Sequence, residues 1–199
     1  MNLKKIMFIF VLICIIIFFI FYYIFCVLGN NKNRNQNEIV DDILNNIKEY
    51  EASISVTVKS NKNENYYSMN QKVDGNNSKL IMNSPDSIKD MTVEINNNVL
   101  KITNTRINME KIYNDYEFVL NNNLFLDTFI EDYKNNESKT YEENNEIILE
   151  TKLNNNSSTY IKFKELHLDK VTGLPKELII KDNTKKTRIS IIYNDIKIK

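Results

Sequence analysis

The chain has 199 residues, with 26 basic and 26 acidic side chains and so no formal net charge. That balance leaves no nucleic-acid footprint. Three Gly and two Pro rule out a glycine-rich nucleotide loop. One His and two Cys, both Cys in the apolar N-terminus, leave no Cys/His zinc set for the rest of the chain. Asn makes up about a sixth of the residues, well above ordinary usage. We read this as drift in an AT-rich genome. The composition argues against an ordinary enzyme, and no cofactor is expected.

Lys4 and Lys5 precede residues 6–28, a run of 23 without charge, Gly or Pro. Such a run can span a bilayer as a helix with some tilt. The expected layout is a membrane anchor or signal segment over 1–29, a polar linker over 30–37 and one β-rich domain over 38–199. A cleaved secretory signal and a lipoprotein signal remain alternatives to the anchor. A cleavable apolar region is usually about 7–15 residues and ends in small residues. Cys26 follows Phe25 and Cys14 follows Ile13, where a lipoprotein signal needs a small residue. Cys26 therefore stays a candidate lipidation site without a convincing lipobox. Each reading puts the folded part outside the cytoplasm, in the envelope. That part has no Cys, so its stability must come from its core.

Residues 38–50 read as a helix, with Ile39, Val40, Ile43, Leu44, Ile47 and Tyr50 on one stripe. From Ala52 the period changes to two. Ile54, Val56 and Val58 alternate with Ser and Thr, which predicts a half-buried strand. Further strands are expected over 67–73, 78–83, 91–95 and 99–103. Asp74-Gly75-Asn76-Asn77 and Asn96-Asn97-Asn98 serve as turns. Residues 107–113 read less clearly as a short strand. Asn123 can cap a second helix over 124–133. Strands over 138–142, 146–153, 159–168, 176–181 and 186–199 complete the chain. The expected class is α+β: a transmembrane helix, then one long, strongly curved antiparallel sheet wrapped on helices.

Chemistry is sparse. His167 lies between Leu166 and Leu168 on a strand and has no nucleophile motif around it, so it reads as an exposed strand histidine. The carboxylate neighbours Asp41-Asp42, Glu131-Asp132 and Glu142-Glu143 do not converge across a cleft, as an acid/base pair must. No catalytic residue or metal ligand is assigned. The many Tyr and Phe either fill the core or line a face for an acyl chain or a protein. Tyr66 and Tyr67 are neighbours, so one of them should face outward.

The run Leu166-His167-Leu168-Asp169-Lys170-Val171-Thr172-Gly173-Leu174-Pro175 continues to Tyr193-Asn194-Asp195. It resembles the closing strands of periplasmic lipoprotein carrier-like proteins. Asp169, Thr172, Gly173, Leu174 and Pro175 form the signature turn. Gly173 permits a tight turn, and Pro175 opens a strand where no ladder donor is needed. The ectodomain as a whole resembles the GerS-related family of clostridial germination lipoproteins. The resemblance rests on the Tyr50-Glu51-Ala52-Ser53-Ile54-Ser55-Val56 strand, a Tyr-rich second strand and Ser84-Pro85 after the third.

The resemblance implies a LolA/LolB-type fold, a half-open β-barrel with helices on its concave side. It implies a non-enzymatic role: binding and supporting an N-acetylmuramoyl-L-alanine amidase that modifies spore cortex peptidoglycan. It also implies a strand-exchanged homodimer as one form of the protein. The alternative function is a lipid or lipoprotein carrier or acceptor with a hydrophobic concave face. An apolar groove would favour lipid, and a strand edge would favour a protein partner.

Overall fold

Strands dominate because most of the chain alternates β-branched or aromatic residues with polar ones. The computed structural model describes residues 36–114, 123–153 and 161–199. It divides into two units, Met1–Asp42 and Ile43–Lys199, with the boundary inside the first described helix. That helix, α1, is Gln36–Asn46.

Six strands follow: β1 (Tyr50–Lys59), β2 (Glu64–Asp74), β3 (Asn77–Ser84), β4 (Met91–Asn96), β5 (Val99–Asn104) and β6 (Met109–Tyr113). A 3-10 turn, Thr105–Ile107, separates the last two. Helix α2 is Leu126–Asn135. Then come β7 (Glu137–Glu143), β8 (Glu146–Lys152), β9 (Phe163–Asp169), β10 (Pro175–Lys181) and β11 (Thr187–Ile198).

The eleven strands make one sheet in the order β6-β5-β4-β3-β2-β1-β11-β10-β9-β8-β7. Every pairing is antiparallel. β1 to β6 form one meander and β7 to β11 another. Only the β1–β11 pairing joins them, so the first and last strands lie side by side at the centre.

The register aligns Val56, Ile191, Leu178, Leu166 and Leu149 across five adjacent strands. Four of these are fully buried and Val56 is 2% exposed. Burying each such side chain contributes about 1.5–3 kcal/mol, so this row anchors the core. The β1–β11 register shifts between Ser53 and Ile54, where Asn194 is the extra residue on β11. Such a bulge kinks the ladder and increases local twist.

The α+β expectation is corrected here. The described residues form mainly one open antiparallel sheet with two short helices, of 11 and 10 residues. The helical period is carried by only those short stretches, and nearly everything else has the strand period. The half-open barrel with helices on a concave side is likewise replaced by a sheet ending in two separate edges, β6 and β7. The transmembrane helix expected over 6–28 lies outside the described residues. Among the described residues no helix is long and apolar enough to cross a membrane.

Boundaries also moved. The first helix stops at Asn46, and Tyr50 starts β1, where it pairs with Val73 on one side and Ile198 on the other. α2 starts at Leu126 with Phe125 as N-cap, and no side chain of that cap bonds the helix.

Candidate functional site

The Tyr50 hydroxyl supplies the cap that α2 lacks. It accepts from the Leu126 backbone N–H at 3.1 Å. It also donates to Gln71 Oε1 over a long 3.4 Å. Gln71 Nε2 in turn donates to the Leu124 carbonyl at 2.8 Å. The backbone at Leu124 and Leu126, leading into α2, is thus held by β1 and β2, and burial pushes the Tyr50 phenol far up. Tyr193 is buried nearby on β11, and its hydroxyl has no hydrogen-bond partner among the described residues.

Lys164 of β9 fixes the helix from the sheet side. It is 1% exposed and its Nζ reaches Asp132 Oδ2 of α2 at 2.5 Å. Thr151 donates to the Asp132 carbonyl, and Tyr133 and Thr140 share a 2.6 Å hydroxyl contact. Asp132 of the Glu131-Asp132 pair is therefore an anchor for α2, not half of an acid/base couple.

The turn residues named from sequence come together in one structure. Asp169 Oδ1 accepts from the Val171 and Thr172 amides and from the Thr172 hydroxyl, at 3.0, 2.8 and 3.0 Å. These bonds, the Thr172 amide first, hold its carboxyl below the usual range. The Asp169 amide donates to the Leu174 carbonyl at 2.9 Å, and Pro175 opens β10. Gly173 has φ +70°, and a Cβ there would lie 3.3 Å from Ile43. All five residues thus build a tight turn in which one oxygen of the Asp169 carboxylate takes two backbone amides and one hydroxyl. Cys26, the lipidation candidate, lies outside the described residues. Asp182 caps the next hairpin in the same way and also holds Arg188 at 2.7 Å. The Thr184 hydroxyl leads in lowering its pKa.

His167 is not the exposed strand histidine expected. It is half-buried among charges, with Nδ1 2.9 Å from Glu146 and Nε2 3.9 Å from Glu165. Glu165 first, and then Glu146, raise its pKa against the opposing effect of burial. Lys181 pairs with Glu165 at 2.5 Å and Lys176 with Glu146 at 2.7 Å. A sequence-adjacent pattern could not reveal this cluster, because it assembles from β8, β9 and β10 through their register.

The two sheet edges differ. β7 carries Glu137, Lys139, Glu142 and Glu143, charges of the kind that block edge-to-edge pairing. β6 is exposed along its whole length; it carries the charges Glu110 and Lys111 as well as Met109, Ile112 and Tyr113, with Ile107 just before. Its outer backbone groups have no strand partner among the described residues.

A hollow of about 510 Å³ lies on the sheet away from the buried row and spans β11, β1, β2 and β3. Glu51, Ser53, Asn70, Lys72, Lys79, Ile81, Asp195 and Lys197 present side chains along it. A second hollow of about 330 Å³ is lined by hairpin-turn Asn residues together with Phe125, Asp127 and Glu131. Polar and charged side chains thus dominate both. Tyr66 faces outward at 66% exposure, while Tyr50, Phe125 and Phe129 fill the core.

Solved structures are similar to this chain. An uncharacterized conserved protein from Thermus thermophilus aligns with TM-score 0.55 and 10% identity, over 83% of this chain and 88% of that one. A chain of the Clostridioides difficile CwlD amidase–GerS lipoprotein complex aligns with TM-score 0.54 and 22% identity, over 84% of this chain and 98% of that one. A LolA superfamily protein, NE2245 of Nitrosomonas europaea, aligns with TM-score 0.42 and 12% identity, over 80% and 93% of the two chains. No curated protein matches the sequence. The family described as sporulation protein YdcC-like matches residues 4–199, nearly the whole length, and the chain belongs to that family.

Proposed function

We propose that this protein is a non-enzymatic envelope protein of sporulating cells that binds and supports a cortex N-acetylmuramoyl-L-alanine amidase. The apolar segment 6–28 would tether it to a membrane, with the folded domain on the extracytoplasmic side. The observation that carries the reading is the open edge of β6. An edge strand with no outer strand neighbour among the described residues, and with exposed Met109 and Ile112, suits an added strand from a protein partner. The family assignment supports a sporulation role. The likeness to a chain of the amidase–lipoprotein complex supports an amidase as partner, with that chain taken to be the lipoprotein.

The test is affinity copurification of tagged full-length protein from sporulating cells, with mass spectrometry of bound proteins and lipids. Enrichment of an amidase, lost in Ile112→Lys, is the expected result. Ile112 is 52% exposed, so the substitution should leave the fold intact. Stoichiometric acyl lipid without an amidase would replace this reading with the carrier.

A further inference from the structure

One row of side chains crosses the sheet from β11 to β5 on a single face. The register aligns Lys197, Glu51, Lys72, Lys79, Glu94 and Lys101. Opposite charges alternate along it except at one point, where Lys72 and Lys79 stand directly opposite each other on β2 and β3. Like charges in that position oppose strand pairing. Each lysine is drawn outward to its own carboxylate. Lys72 reaches Glu51 toward β1 at 3.1 Å, and Lys79 reaches Glu94 toward β4 at 2.7 Å. The two ammonium groups are thus paired in opposite directions along the row.

The pair borders a groove. The hollow of about 510 Å³ has Lys72 and Lys79 in its wall, and an adjoining one of about 240 Å³ shares the same two lysines. Lys197 enters the larger hollow with no ion pair among the described residues. Ser53 and Asn70, opposite each other one pleat away, add a hydroxyl and an amide. Two carboxylates share the lining. Glu51 is held by Lys72 and Lys199, each at 3.1 Å, and these pairs keep its pKa low. Asp195 is left as a hydrogen-bond acceptor beside Lys197.

We propose that this groove binds a small oxyanion that also carries hydroxyl groups. The carboxylate or phosphate sits between Lys72, Lys79 and Lys197, and relieves the repulsion of the opposed pair. Asp195, Asn70 and Ser53 take the hydroxyls. Such a ligand is either a sugar acid or the headgroup of a glycerol-phosphate lipid. The site is separate from the β6 edge, so it stands or falls independently of the partner proposed there.

The test uses the full-length chain in zwitterionic detergent, with backbone amide shifts of Ser53, Asn70 and Lys72 as the readout. Glucuronate and glycerol 3-phosphate are titrated separately at constant ionic strength, with sodium chloride as the control. Saturable shifts with one of the two, absent with chloride, are expected and identify the source. Lys79→Gln and Lys72→Gln should each weaken that binding at least about tenfold, whereas Lys79→Arg should retain it. Unsaturable shifts with both probes, equal shifts with chloride, or unchanged binding in the two Gln variants would overturn the proposal. Lys72 is exposed and Lys79 partly so, and an unchanged amide spectrum elsewhere verifies the fold.

Discussion

Two buried tyrosines lie close in the fold and do different work. Tyr50 caps α2 through its hydroxyl, whereas the Tyr193 hydroxyl is buried with no partner among the described residues. Removing the first strands the Leu126 amide, and a stranded buried donor costs about 1–3 kcal/mol. Tyr50→Phe should therefore lower stability by about that amount. Tyr193→Phe should be neutral or stabilising, since it removes a desolvated group that gains nothing. Urea unfolding of both variants checks the contrast. An equal loss in both would deny Tyr50 its capping role.

At the scale of elements, α2 depends on one buried cation. Asp132→Asn leaves Lys164 charged and enclosed, and an uncompensated buried charge costs about 3 kcal/mol or more. Lys164→Met removes the charge and keeps the packing, so it should cost clearly less. Thermal or urea unfolding of the two variants would order them, and the reverse order would sink this account of the pair.

The charge cluster across β8, β9 and β10 makes stability depend on pH. The His167 pKa is raised in the folded state, so its contribution is full below about pH 6.5 and is lost as pH rises through the raised value. The Glu165 pKa is lowered, chiefly by His167, so its contribution is present at neutral pH and is lost on acidification. Urea midpoints measured upward from about pH 6.5 should fall, and His167→Gln should flatten that limb. An unchanged slope in the variant would place the titration elsewhere.

For the whole molecule, the joint between the two meanders sets the stability. Among the described residues β1 and β11 are the only pairing between strands far apart in sequence, and they sit at the sheet's centre. Their apolar side chains, with Ile54 and Ile191 fully buried, should open only with global unfolding. Hydrogen exchange should find the slowest amides there and the fastest in β6. Fast exchange along β11 would mean that the second meander folds and opens by itself.

The strands were legible because alternation is a local property. All eleven lie where the period of two, or the less clear stretch 107–113, predicted them. Tyr66 facing outward followed from the same pleat. Helix ends were less legible. Tyr50 fits the apolar stripe of the first helix as well as it fits a strand, and two cross-strand neighbours decided for the strand. α2 lost its expected Asn123 cap because its cap comes from β1, 76 residues away in sequence.

The sequence by itself determined the apolar N-terminal run, the strand runs, the turn at Asp169 to Pro175, and a formal net charge of zero. These depend on residues close together in the chain. The tertiary structure alone decided that His167 joins two carboxylates, that Lys164 is buried against Asp132, that β6 and β7 are the two sheet edges, and that Lys72 faces Lys79. Each of these depends on register or docking, which brings together residues whose spacing in the chain carries no common period.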